Sequence, residues 1–199
     1  MNVVELIHNS YVHRRRSRVL IGLLAPMIPP HARVLDVGCG DGLVSRLLVE
    51  ARPDLRIQGI DNQVRKLPFI PVLQFDGYVL PFPESSFDVV MMVDVLHHTT
   101  NQFTLLHEGK RVTKKAIVLK DHLCHSCFSN VILRFMDRVG NRRHDVPLPH
   151  VYWPASKWFD TFARLELRIT AWREDLNLYP RGFNWLFGRN LHFIAGLEK

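Results

Sequence analysis

Arg33-Val34-Leu35-Asp36-Val37-Gly38-Cys39-Gly40-Asp41-Gly42 decides how the chain folds. A short apolar run ends in a glycine-rich turn, and a helical pattern follows at once in Leu43, Val44, Leu47 and Leu48. Strand, glycine turn and helix in that order open a βαβ nucleotide-binding unit. Gly38 and Gly40 can take backbone angles closed to residues with a Cβ, and they let main chain approach a ligand. The helix beginning near Gly42 aims free N–H groups over the turn. Asp36 would repel a pyrophosphate, so it points to a ligand with a positive or hydrogen-donating group.

The stretch VLDVGCGDG resembles the first motif of class I S-adenosylmethionine-dependent methyltransferases. The resemblance implies that Asp36 and the turn Gly38, Cys39, Gly40, Asp41 and Gly42 hold the amino-acid half of the cofactor, S-adenosylmethionine. Leu55 to Asp61 reads as the second strand. Asp61 stands about twenty residues past the turn, where a Rossmann-like fold places the carboxylate that accepts the ribose hydroxyls. Asn62 adjoins it. After the short third strand, Val72 to Phe75, the family's adenine-binding acid corresponds to Asp76, followed by Gly77. Leu80-Pro81-Phe82, then Ser86-Phe87-Asp88-Val89-Val90, matches a second family segment. It leads into a strand apolar on both faces, as a central parallel strand should be. Asp94 and Val95 then correspond to residues under the methionine part of the cofactor. His98, or its neighbour His97, is placed to act as a base near the transferred methyl.

One departure from the family pattern is plain. Six residues, Asn62 to Leu67, separate the second strand from Pro68, with Pro71 soon after. Prolines bar extension of a helix there, so the helix after the second strand is abbreviated.

Working outward, Met1 to Pro30 reads as a helical cap with an apolar stripe (Val12, Val19, Leu20, Leu23, Leu24, Met27) and an arginine run, Arg14-Arg15-Arg16. Asn101 to Arg111 reads as a helix closed by Gly109, and Ala116 to Lys120 as the fifth strand. Asp121 and His122 stand at its carboxyl end, where open α/β sheets place ligands. With His98 they are the candidate catalytic residues. His122, Cys124, His125 and Cys127 lack the second spaced pair of a structural zinc site, so no metal is assigned. Cys124 and Cys127 read instead as i, i+3 neighbours on an apolar helix face continuing through Phe128, Val131 and Leu133. The helix Phe128 to Val139, ended by Gly140, and the loop after it form an insertion after the fifth strand, which the resemblance implies is the substrate cover. His144, Asp145, His150, Tyr152 and Trp153 are its candidate contacts. A helix, Ser156 to Phe162, leads to two last strands, Leu165 to Thr170 and Leu191 to Leu197. Between them Trp172, Tyr179, Phe183, Trp185 and Phe187 could line an apolar pocket, bind a partner or pack in the core.

The whole reads as one α/β domain over residues 1–199: a Rossmann-like three-layer sandwich on a mostly parallel seven-stranded sheet with an antiparallel edge strand. Residues 1–30 form the cap, 31–120 the cofactor half, 121–163 the substrate-cover insertion and 164–199 the last strands. Three cysteines among 199 residues and no leader pattern suit a reducing, cytoplasmic setting, and no apolar run reaches the length of a membrane span. The implied function is methyl transfer to a small, apolar or aromatic acceptor. The net charge of +7 keeps an RNA or protein acceptor open as an alternative, although no RNA-binding module accompanies it. A cofactor-binding protein without turnover is the third reading. The acceptor and the oligomeric state are not encoded in any motif.

Overall fold

The computed structural model describes residues 15–141 and 149–199. Seven strands, β1 (Arg33–Val37), β2 (Arg56–Asp61), β3 (Val72–Gln74), β4 (Phe87–Val93), β5 (Thr113–His122), β6 (Arg168–Arg173) and β7 (His192–Glu198), form one sheet in the order β3-β2-β1-β4-β5-β7-β6. Its helices are α1 (15–24), α2 (Leu43–Ala51), α3 (Gln102–Val112), α4 (Cys127–Asn141), α5 (Ala155–Arg164) and α6 (Arg181–Phe187).

The central strands are buried on both faces, and their alternate residues feed two separate cores. Val34, Val89, Met91 and Val118 pack with Leu20 and Leu24 of α1 and Leu48 of α2. Leu35, Val90, Met92 and Ile117 pack with Leu105 and Leu106 of α3 and Trp158 and Phe162 of α5. Three layers result, as the strand–helix alternation predicts.

The antiparallel strand is not at the edge, which corrects the sequence expectation. β7 runs antiparallel between β5 and β6, and β6 is the edge. The burial explains it: His192 to Leu197 are buried on both faces, whereas β6 keeps nearly every residue exposed and begins and ends in arginine. Gly109 likewise does not end a helix. It lies inside α3, where a Cβ would sit 2.7 Å from Met92 Cε, so it allows helix and sheet to approach closely.

The abbreviated crossover is a loop throughout, since 62–71 holds no helix. The loop packs onto the glycine turn instead: Phe69 N–H donates to Asp41 O (2.7 Å) and Gly59 N–H to Pro71 O (3.2 Å). The connection from β3 to β4 is also helix-free, and α3 pins it. Glu108 accepts from Leu80 N–H, while Arg111 donates to the carbonyls of Leu80 (2.8 Å) and Phe82 (2.7 Å). Residues 1–14 of the expected cap, and the expected contacts His144 and Asp145, lie outside the described residues.

Candidate active site

A cavity of about 630 Å³ opens above the carboxyl ends of β1, β2 and β4. Its wall includes Gly38, Gly40, Asp61, Asn62, Asp76 and Gly77 at one end, and Asp94, Val95 and His98 at the other.

The first end is shaped by backbone. Gly38, Gly40 and Gly42 all have positive φ, and Gly40 has open space where a Cβ would be. Gly38 admits no side chain because Val95 lies against it, 2.5 Å from the position of a Cβ. Asp61 fastens the turn: its carboxylate accepts from Gly40 N–H (2.8 Å) and Gln63 N–H (2.9 Å) while lining the cavity. Asp76 accepts from the N–H groups of Tyr78 and Val79, and these bonds lower its pKa.

Four expected cofactor residues stand behind this wall. Asp36 is buried beneath the turn and takes a 2.6 Å hydrogen bond from Ser45 Oγ of α2. Burial, against that bond, pushes its pKa up to about 7. Cys39 turns its Sγ toward Gly59 of β2, and burial raises its pKa. Asp41 accepts from Leu43 N–H (3.0 Å) in the turn that leads into α2. Gly42, the α2 N-cap, lies beneath Ile70.

The other end is a nest of ionisable side chains. Asp94 ends β4 with φ +57° and is bridged by Lys120 of β5 and Arg16 of α1. Burial opposes its charge, but those two cations outweigh it and hold its pKa well below the usual range. Lys120 is fully buried and also meets His192 Nδ1 at 3.2 Å. Asp121 does not reach the cavity. It is fully buried and takes hydrogen bonds from Leu96 N–H (2.9 Å), His122 N–H (2.7 Å) and His97 Nδ1 (2.6 Å). His122 sits behind His97, Nδ1 to Nδ1 at 3.2 Å, and does not line the cavity either. Of the three catalytic candidates only His98 does. Burial and the neighbouring His97 lower its pKa to about 4, so it is neutral at pH 7.

Asp137 is the residue the sequence reading did not place in the site, and His97, its alternative to His98, is fully buried and does not line the cavity. Burial disfavours charge on His97, but Asp121 and Asp137 outweigh it and raise its pKa to about 10. Asp137 comes from α4, accepts from Tyr152 O–H and lies 3.5 Å from His97 Nε2. Its signal was in the helix spacing. Ser129, Leu133 and Asp137, at four-residue steps, are the buried face of α4, while Phe128, Val131, Phe135 and Val139 face outward. This corrects the expected inward apolar face, of which only Leu133 turns in. Cys124 precedes the helix rather than sharing it with Cys127.

A strap over 149–153 crosses the nest: Val151 O accepts from Gln102 Nε2 (2.7 Å), and Cys124 N–H donates to Trp153 O. His150 and Tyr152, two expected substrate contacts, meet Asp137 through this strap. The aromatic-rich segment is elsewhere. Trp172 stacks on Phe193 in the core, Trp185 is 71% exposed, and none of its members lines the cavity.

Residues 35–119 match the family described as the methyltransferase domain. The chain is 31% identical over 106 residues to 27-O-demethylrifamycin SV methyltransferase of Amycolatopsis mediterranei, covering 46% of this chain and 39% of that protein. It therefore spans less than half the length of that relative. Trans-aconitate 2-methyltransferase of an Azoarcus species is 26% identical over 195 residues, 88% of this chain and 75% of that one. A Thermotoga maritima structure described as an S-adenosylmethionine-dependent methyltransferase, possible histamine N-methyltransferase, superposes with a TM-score of 0.64 at 16% identity, covering 99% and 96% of the two chains. At that identity it shows the shared fold. Sequence motif, strand order and family match agree: residues 35–119, a little under half of the chain, carry the methyltransferase-domain match, and the fold is that of the class I S-adenosylmethionine-dependent methyltransferases.

Proposed function

We propose that the protein transfers a methyl group from S-adenosylmethionine to a small-molecule acceptor. The observation that carries this is the single cavity joining the glycine turn to His98. Its volume, about 630 Å³, lies in the range of small-molecule sites and leaves room for an acceptor beside the cofactor. In this reading Gly38 and Gly40 give the methionine half close backbone, Asp61 with Asn62 takes the ribose, and Asp76 with Gly77 takes the adenine. Asp94 and Val95 lie under the sulfonium. Asp36, Cys39, Asp41 and Gly42 act indirectly, by fixing the turn. The enzyme's main contribution is then alignment and exclusion of water, since the methyl is attacked in line. His98, neutral and facing the cavity, is the residue that meets the acceptor; Asp121 and His122 act through His97 and are positioning residues.

A nucleic-acid acceptor has less support. Among the described lining residues Arg65 is cationic against Asp61, Asp76 and Asp94, so the basic charge of the chain is not gathered at this mouth. Relatives acting on small molecules point the same way. The aromatic character first expected of the acceptor loses its support with the aromatic segment outside the cavity.

Calorimetric titration with S-adenosylmethionine and S-adenosylhomocysteine tests the cofactor half. Low-micromolar binding that weakens at least tenfold in Asp61→Ala, about 1.4 kcal/mol, supports the assignment. Undiminished affinity in that variant refutes the placement of the ribose.

A further inference from the structure

Three groups of ligating side chains come together in the nest, and they are not equivalent. Asp94, His122 and His192 surround the ammonium of Lys120, which bonds both Asp94 and His192 and already supplies the positive charge. His97, Asp121 and His122 are all buried, and the shared Nδ1 of His97 is already bound to Asp121. The third group is His97, His98 and Asp137, whose ligand atoms lie within 4.8 Å of one another, and His98 opens it to the cavity.

Its geometry discriminates between two ways of meeting the carboxylates. A protonated His97 bridging Asp121 and Asp137 would make two short charge-assisted bonds, about 2.7–2.9 Å each. One is present: Nδ1 to Asp121 at 2.6 Å. The other is long, since Nε2 stands 3.5 Å from Asp137 Oδ1. That separation is close to the roughly 3.4 Å that tetrahedral geometry puts between two ligands bound at about 2.0–2.1 Å. Two further features fit. Each ligand has a partner behind it, Asp121 on His97 Nδ1 and the Tyr152 hydroxyl on Asp137 Oδ2, the outer-shell arrangement that orients metal ligands. His98 Nδ1 is buried and, among the described residues, has no hydrogen-bond partner, a cost that an ion bound at that nitrogen would remove.

We propose that His97, His98 and Asp137 bind one divalent transition-metal ion of the zinc type at the acceptor end of the cavity. Two imidazoles and a carboxylate suit such an ion, and three protein ligands leave a position facing the cavity. Its part in catalysis rests on the methyl-transfer reading: the open position takes an acceptor oxygen, so acceptors are hydroxyl-bearing or carboxylate-bearing small molecules. His98 then serves as a ligand and not as a base.

The test uses the whole chain, stripped with a chelator and titrated calorimetrically with Zn²⁺ without S-adenosylmethionine, so its outcome is independent of the cofactor assignment. Saturable binding of one ion per chain is expected, weakened at least tenfold by Asp137→Asn and separately by His98→Gln. Circular dichroism of each variant establishes that it is folded, and either folded variant suffices. The double variant Cys124→Ser/Cys127→Ser should bind as the parent does. Absence of saturable binding overturns the proposal. So does binding that survives Asp137→Asn and His98→Gln but is lost with the cysteines. If S-adenosylmethionine binds while Zn²⁺ does not, the metal site alone fails.

Discussion

At the glycine end of the cavity the wall is main chain and two carboxylates bonded to it, all drawn from residues 38–79. At the histidine end the groups come from positions as distant as Arg16, Asp94, His97, Lys120, Asp121, Asp137, Tyr152 and His192, and most are buried. The first end is held by local hydrogen bonds and flanked by loops that stand in for helices. The second is a charge network in which each group is kept ionised or neutral by its neighbours. Local architecture tolerates change piece by piece, whereas a buried network fails as a unit.

Asp121→Ala should break that comparison most forcefully. It leaves Leu96 N–H, His122 N–H and His97 Nδ1 without their shared acceptor in a site with no access to water. Removing one partner of a buried pair costs about 3–5 kcal/mol. The melting temperature should fall by about 10 °C for a chain of this size. A change below 2 °C would show that the nest is not the linked unit described.

Asp36 tests whether the acid under the glycine turn is structural. Its folded pKa of about 7 lies above the ordinary 3.8 of the unfolded chain, so the folded state holds the proton longer. The stability this contributes is present below about pH 4 and is lost as the pH rises through about 7. Asp36→Asn, which cannot ionise, should therefore melt above the parent at pH 8 and not at pH 4. The relative gain is up to about 4 kcal/mol. Equal melting curves at both pH values would place the acid in contact with solvent or a cation instead.

The smallest effect is expected on the loop side. Leu67, 88% exposed in the β2–β3 loop, should tolerate Leu67→Ser within about 0.5 kcal/mol in urea denaturation. A larger loss would mean that this loop is packed as tightly as the nest.

The same contrast governs what could be read before the fold was known. The glycine turn and Asp61 were legible because strand, turn and helix are adjacent in sequence, whereas Asp36, expected to hold the cofactor, lies beneath the turn and meets Ser45. Asp61, expected from spacing, and Asp76, expected from the family resemblance, both line the cavity. Asp121 and His122 were rightly placed at the end of β5, but a strand end does not reveal which way its side chains face, and both turn into the nest. Asp137 was missed because α4 reads as an ordinary amphipathic helix until one asks which face is buried. The place of β7 inside the sheet was hidden for a related reason: alternation identifies a strand and not its neighbours.

That inverted helix has a mechanical consequence. α4 puts Phe128, Val131 and Val139 outward, lays Phe135 on Phe187 of α6, and turns in Leu133 and Asp137, which meets Tyr152 and His97. Apolar burial weakens gradually as surfaces slide, but an ionic and hydrogen-bonded hold is directional and is either made or lost. On its cavity side α4 is thus fastened like a latch, with a polar catch above the acceptor end. Its amides should exchange with solvent together, as one cooperative unit set free when that catch opens, and earlier than those of β4 and β5 beneath it.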